Sequence, residues 1–76
     1  MNAPAKRYTV QVDRVGDAWM IQSHRWNGPD LASGEPIYRA TIAEAVDKAE
    51  EMVRHRLAAG RSCVLVLSDE AQAASA

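Results

Sequence analysis

Cysteine is nearly absent from this chain of 76 residues: Cys63 is the only one, which excludes an intrachain disulfide. Histidine is scarce as well, with only His24 and His55. These three residues are far apart and form no zinc-ligand spacing, so no metal and no other cofactor is expected. Phenylalanine is missing, and aromatic residues make up 5% of the chain. No apolar run approaches the roughly 20 residues of a membrane span. The opening stretch, MNAPAKR, holds no apolar segment of the kind a secretion signal needs. A membrane partner is therefore not expected, and with one free thiol the expected compartment is the cytoplasm. Charge of one sign is lacking too. Nine Lys and Arg face ten Asp and Glu, for a net charge of -1, which is not the excess of a dedicated nucleic-acid binder.

So short a chain makes one domain, taken as residues 1–76 with an ordered part over about 7–67. It buries only roughly 60% of the surface its unfolded form exposes. A thin core and low stability follow, and a homodimer is one expected remedy.

What is present orders itself as β-β-β-α-β. From Arg7, the residues Tyr8, Val10 and Val12 alternate with Thr9, Gln11 and Asp13, the pattern of a half-buried strand. Gly16-Asp17 reads as a tight hairpin turn. Residues 18–24 give a second strand, with Trp19 and Ile21 on one face and Ala18 and Met20 on the other. Residues 25–35 are dense in turn formers and read as a long loop. Residues 36–40 give a short third strand led by a proline, as suits a strand start or an edge. Thr41 and Glu44 have the spacing of a capping box. Ile42, Ala45, Val46, Ala49, Met52, Val53 and Leu57 follow at helical spacing. Glu44–Lys48 and Glu50–Arg54 are spaced as i,i+4 ion pairs, and Gly60 is the stop. The apolar run 62–67 reads as a buried last strand, and 68–76 as a tail. The expected fold is α+β, a small sheet of three to four strands packed on one helix.

Chemistry-bearing residues are few. Asp13 and Glu44 are two carboxylates that in a sheet-plus-helix fold can hold a metal for phosphodiester cleavage. Glu44, however, is claimed by the helix cap, and Asp13 reads as a solvent-facing strand residue. His24 and His55 have no nucleophile or acid beside them in a motif. Cys63 opens a buried strand, where a thiol behaves as a small hydrophobe. No catalytic residue is assigned, and an enzyme is not expected. Arg54, Arg56 and Arg61 form the one basic cluster. It reads either as a complement to the helix dipole or as a phosphate contact patch. Trp26 sits in the polar loop beside Arg25, and both residue types are enriched at binding hot spots. Trp26 either folds back on the thin core or defines a recognition surface with Arg25, Asn27, Tyr38 and Arg39.

The segments Tyr8–Arg14, Gly16–Ile21 and Thr41–Ala49, in that order around a turn-rich loop, resemble the HicB-like antitoxin domain over residues 7–57. The chain is similar also to short bacterial domains with the same β-β-β-α-β order. The HicB-like resemblance implies a partly truncated RNase-H-like fold without nuclease activity. It also implies oligomerisation and binding of a small protein, such as a toxin ribonuclease. Ser23-His24-Arg25-Trp26 stands where a proline-containing segment is usual, and no DNA-binding domain is expected after the helix. The implied role is thus protein binding and not operon repression. The expectation is a non-enzymatic interaction module, either antitoxin-like or a phage or mobile-element inhibitor such as an anti-CRISPR protein. It would bind its partner through the 25–35 loop and the sheet. The alternative is a small nucleic-acid-binding domain using the sheet or the Arg54, Arg56 and Arg61 end.

Overall fold

The computed structural model describes residues 6–76. The expected N-terminal lead lies outside that range, except Lys6, which opens the first strand. The elements are β1 (Lys6–Val15), β2 (Ala18–Asn27), β3 (Asp30–Ser33), β4 (Ile37–Arg39), α1 (Ile42–Ala58), β5 (Cys63–Leu67) and α2 (Asp69–Ser75). The class is α+β, as expected, with one more strand and one more helix than the sequence pattern predicts.

One mixed sheet has the order β3-β2-β1-β5, and β4 also pairs with β2. β1 and β2 are antiparallel and joined by Gly16-Asp17, with Val15 opposite Ala18. Gly16 takes φ 60, a value that glycine alone adopts without a Cβ penalty. The chain then crosses through α1 and returns as β5, parallel to β1, which is the connection a helix supplies.

The expected loop over 25–35 is mostly strand. β2 runs on to Asn27, which pairs with Asp30 across Gly28-Pro29, and β3 follows directly. Gly28 has φ 62 and proline fixes its own φ at a negative value, so the turn residues that suggest a loop close a second hairpin instead. β3 and β4 lie along the same edge of β2, interrupted by a bulge. His24 faces Ser33 and Ile21 faces Ile37, so Gln22 and Ser23 oppose three residues, Gly34, Glu35 and Pro36. Pro36 has no N–H for a ladder, and a bulge is where a sheet tolerates that loss. The Gly34 N–H still donates to the Ser23 carbonyl at 2.8 Å, and the Gln22 amide donates to the Gly34 carbonyl at 2.9 Å.

The helix forms where its signals lie. The Thr41 hydroxyl accepts from the Glu44 N–H at 3.2 Å and donates to the Glu44 carboxylate at 2.9 Å. α1 turns Ala45 and Ala49, both fully buried, onto the sheet, and these small side chains let helix and strands approach closely. Ile42, Met52 and Val53 flank them. Leu57 does not complete the stripe, because it is 54% exposed at the helix end. The two expected i,i+4 ion pairs are replaced by one i,i+3 pair, Lys48 with Glu51 at 3.3 Å. The predicted tail folds as α2: Ser68 caps it by accepting from the Ala71 N–H at 3.1 Å, and Ala71 is fully buried.

Strand side chains alternate between faces. Tyr8, Val10 and Val12 of β1, Trp19 and Ile21 of β2, and Cys63 of β5 are buried with Ala45, Ala49 and Ala71 to make the core, and Leu65 and Leu67 pack against it. Because β5 carries helices on one face only, it is not the doubly buried strand its composition suggests. Val64 and Val66 point to the other face and are 58% and 42% exposed. Replacing Ile21 by Ala is expected to cost about 2–5 kcal/mol in urea denaturation, and replacing Val64 by Ala less than about 0.5 kcal/mol. The reverse order of cost would mean the β1–β2 register is off by one residue.

Candidate functional site

Two surfaces gather chemistry, one on each side of the sheet. The face away from the helices carries Arg7, Thr9, Gln11 and Asp13 of β1, Met20, Gln22, His24 and Trp26 of β2, and Val64 and Val66 of β5, as the strand registers require. Leu31 of β3 faces Trp26, and Tyr38 of β4 faces Met20. Five of the six exposed large hydrophobic side chains, Val15, Leu31, Tyr38, Val64 and Val66, fall on this face; Leu57 is the other. Between the apolar edges runs a polar strip. In it His24 Nδ1 and Ser33 Oγ share a hydrogen bond of 2.8 Å.

The residues expected to form one recognition surface do not share a face. Trp26 and Tyr38 are on the open side. Trp26 is half-buried there and is no part of the core. Arg25 and Arg39 face the helix side, opposite Tyr8 and Trp19 respectively, while Asn27 closes the hairpin. Alternation separates each neighbouring pair, and a loop reading has no way to register that. Leu31, Val64 and Val66 were not singled out by sequence, although Val64 and Val66 alternate with Cys63, Leu65 and Leu67.

On the helix side, buried Tyr8 organises a basic cluster. The helix ends in a Schellman arrangement: the Arg61 N–H donates to the Arg56 carbonyl and the Gly60 N–H to the Leu57 carbonyl, each at 3.0 Å. That turn brings residues 56 and 61 side by side. The Arg56 guanidinium lies 4.2 Å from the Tyr8 ring centre and that of Arg61 5.3 Å, both within cation–π range. Arg61 also donates to the Tyr8 hydroxyl. The Tyr8 N–H donates to the Ser62 carbonyl at 3.0 Å, tying the turn to β1. Of the three arginines grouped by sequence, Arg54 is exposed and lines neither of the two cavities here. Arg25 takes its place. A cavity of about 270 Å³ is lined by Tyr8, Ser23, Arg25, Ser33, Gly34 and Arg56. A neighbouring one of about 380 Å³ is lined by Lys48, Glu51, His55, Arg56 and Arg61, among others, with Glu51 paired to Lys48.

Cys63 pairs with Tyr8 in the sheet. Burial pushes its thiol above the ordinary value, and the positive charge of Arg56 and the Val64 backbone N–H only partly offset this. Asp13, Glu44 and His24 are not brought together: among the described residues, no three His, Cys, Asp or Glu side chains are grouped to hold a metal ion, and no helix is long and apolar enough to cross a membrane. Comparison with family models, curated proteins and solved structures found no match to this chain.

A raised thiol pKa means folding favours the protonated form. That contribution to stability is complete below the ordinary thiol pKa and is lost as pH rises through the folded-state value. Urea stability should therefore fall more steeply above about pH 9 in the wild type than in Cys63→Ala. Alkylation of Cys63 at neutral pH should be about tenfold or more slower in the native protein than in urea.

Proposed function

We propose that this protein is a non-enzymatic interaction module that docks another protein on the open face of its sheet. The observation that carries this is the concentration of exposed apolar side chains on that one face. Apolar surface gathered on one side of a small domain marks an interaction site. The composition matches the anatomy of such sites. Trp26 and Tyr38 supply the residue types that dominate hot spots. The strip of Thr9, Gln11, Gln22 and His24 supplies hydrogen-bond donors and acceptors. The partner surface this favours is apolar with matching hydrogen-bonding groups, not polyanionic.

The HicB-like resemblance of residues 7–57 narrows the partner to a small protein such as a toxin ribonuclease. An inhibitor of a larger protein machine uses the same face. The sheet order, with β5 parallel beside β1, is compatible with the truncated RNase-H-like layer that the resemblance implies.

The test is affinity capture with the tagged wild type and with Trp26→Ala/Tyr38→Ala, after nuclease treatment and at high salt. A stoichiometric protein partner should survive both treatments. The double variant, with an unchanged circular dichroism spectrum, should bind it more weakly by about 30-fold or more, as loss of a hot spot does. Arg25→Ala should leave capture intact, because Arg25 faces the other way. Equal capture by wild type and double variant would sink the reading.

A further inference from the structure

The cluster around Tyr8 lies on the opposite side of the sheet from the docking face and does not depend on it. We propose that the cleft between Arg25, Arg56 and Arg61 binds a phosphate group. These arginines come from three elements: β2, the last turn of α1, and the loop before β5. Arg25 and Arg56 line one cavity together, and Arg56 and Arg61 the next.

What these arginines lack is as informative as where they are. Among the described residues the one ion pair is Lys48 with Glu51, so no carboxylate lies within pairing distance of Arg25, Arg56 or Arg61. The helix-end carbonyls do not occupy them either, because backbone N–H groups already take the carbonyls of Arg56 and Leu57. Each guanidinium has five N–H donors. The only side-chain hydrogen bond made by the three within the described residues is that of Arg61 to the Tyr8 hydroxyl.

Cations gathered with no ion-paired carboxylate of their own, since Glu51 pairs with Lys48, repel one another at a cost in free energy. A bound oxyanion would relieve it and satisfy the free donors at once. Arg56 and Arg61 are already fixed on the Tyr8 ring, so little side-chain freedom is left for them to lose on binding. The ligand class follows from donor count. The planar forks of Arg25 and Arg56, with Ser23 in the same cavity and Arg61 lining the next, offer more donors than the two oxygens of a carboxylate accept. The terminal oxygens of a phosphate match them better. Tyr8 is buried, with both guanidiniums against its ring, and offers no free face for a stacked base. The site therefore reads one phosphate and not a nucleobase.

The experiment is titration of the intact protein with sodium pyrophosphate at constant ionic strength, followed by ¹H–¹⁵N spectra, with sodium acetate and sodium chloride as controls. Saturable shifts are expected at Tyr8, Ser33, Gly34 and Arg61 with pyrophosphate only. Arg25→Gln should weaken binding about tenfold or more, as loss of a charge-assisted hydrogen bond does. Arg54→Gln, outside both cavities, should leave it unchanged. Because Arg56 also covers Tyr8, Arg25→Gln is the decisive variant and Arg56→Gln a second one. Non-saturating shifts shared with chloride, equal binding of acetate, or full binding by Arg25→Gln would each overturn the proposal. A short single-stranded oligonucleotide without a terminal phosphate separates the sources. If it binds more tightly than pyrophosphate and loses affinity in Arg25→Gln, the phosphate belongs to a polynucleotide backbone. If pyrophosphate binds more tightly, it belongs to a free phosphate ester. Both results support the site.

Discussion

β1 is paired on both sides, with β2 antiparallel and β5 parallel, and the phase of this one strand fixes what every other element can do. Its alternate residues Tyr8, Val10 and Val12 are buried under α1, so their neighbours must face away. Through the two registers that choice passes to β2 and β5, and through β2 to β3 and β4. The core, the open apolar face and the position of Tyr8 beneath two arginines are thus one decision. A shift by a single residue would send Thr9 and Gln11 into the core and place Tyr8 in solvent.

Much of this phase was legible in the chain. The alternation at 8–13, the Gly16-Asp17 turn, and the Thr41 and Glu44 helix start each state a local preference that the fold keeps. The 25–35 segment reads as a loop in sequence because Asn27, Gly28, Pro29 and Asp30 are turn residues in either setting. Strand pairing on both sides of a two-residue turn is a tertiary fact. The one-residue bulge at 34–36 could not be read for the same reason, since it exists only relative to Gln22 and Ser23. For β5, composition alone cannot distinguish a strand buried on both faces from one with a face open. Ala71 anchors α2 with a side chain too small to register as an anchor in sequence.

The site was legible in kind more than in place. Arg56 and Arg61 were grouped with Arg54 by their spacing, but helix geometry turns Arg54 away, while the Schellman turn folds Arg61 back beside Arg56. Tyr8 was visible only as a core residue in phase with Val10 and Val12. Its second role, a ring that holds two guanidiniums, requires the last turn of α1 to end above the first residues of β1. Arg25 and Trp26 are adjacent in sequence, which suggests one surface. The pleat sends them to opposite faces, so one residue type suited to recognition serves each side.

One long helix covers one face of a sheet, and among the described residues no helix packs on the other. Such a domain must still keep its edges from pairing with other chains. The β3–β4 edge is broken by the bulge and by Pro36. β5 has neither device and exposes Val64 and Val66; it is held to five residues between Ser62 and the start of α2. Short length is itself an edge defence, yet the apolar pair remains in solvent. If the exposed apolar groups were merely surplus, the edge with the weaker protection is where polar side chains would be expected. Val64 and Val66 instead share the open face with Leu31 and Tyr38, the face on which the proposed partner would dock.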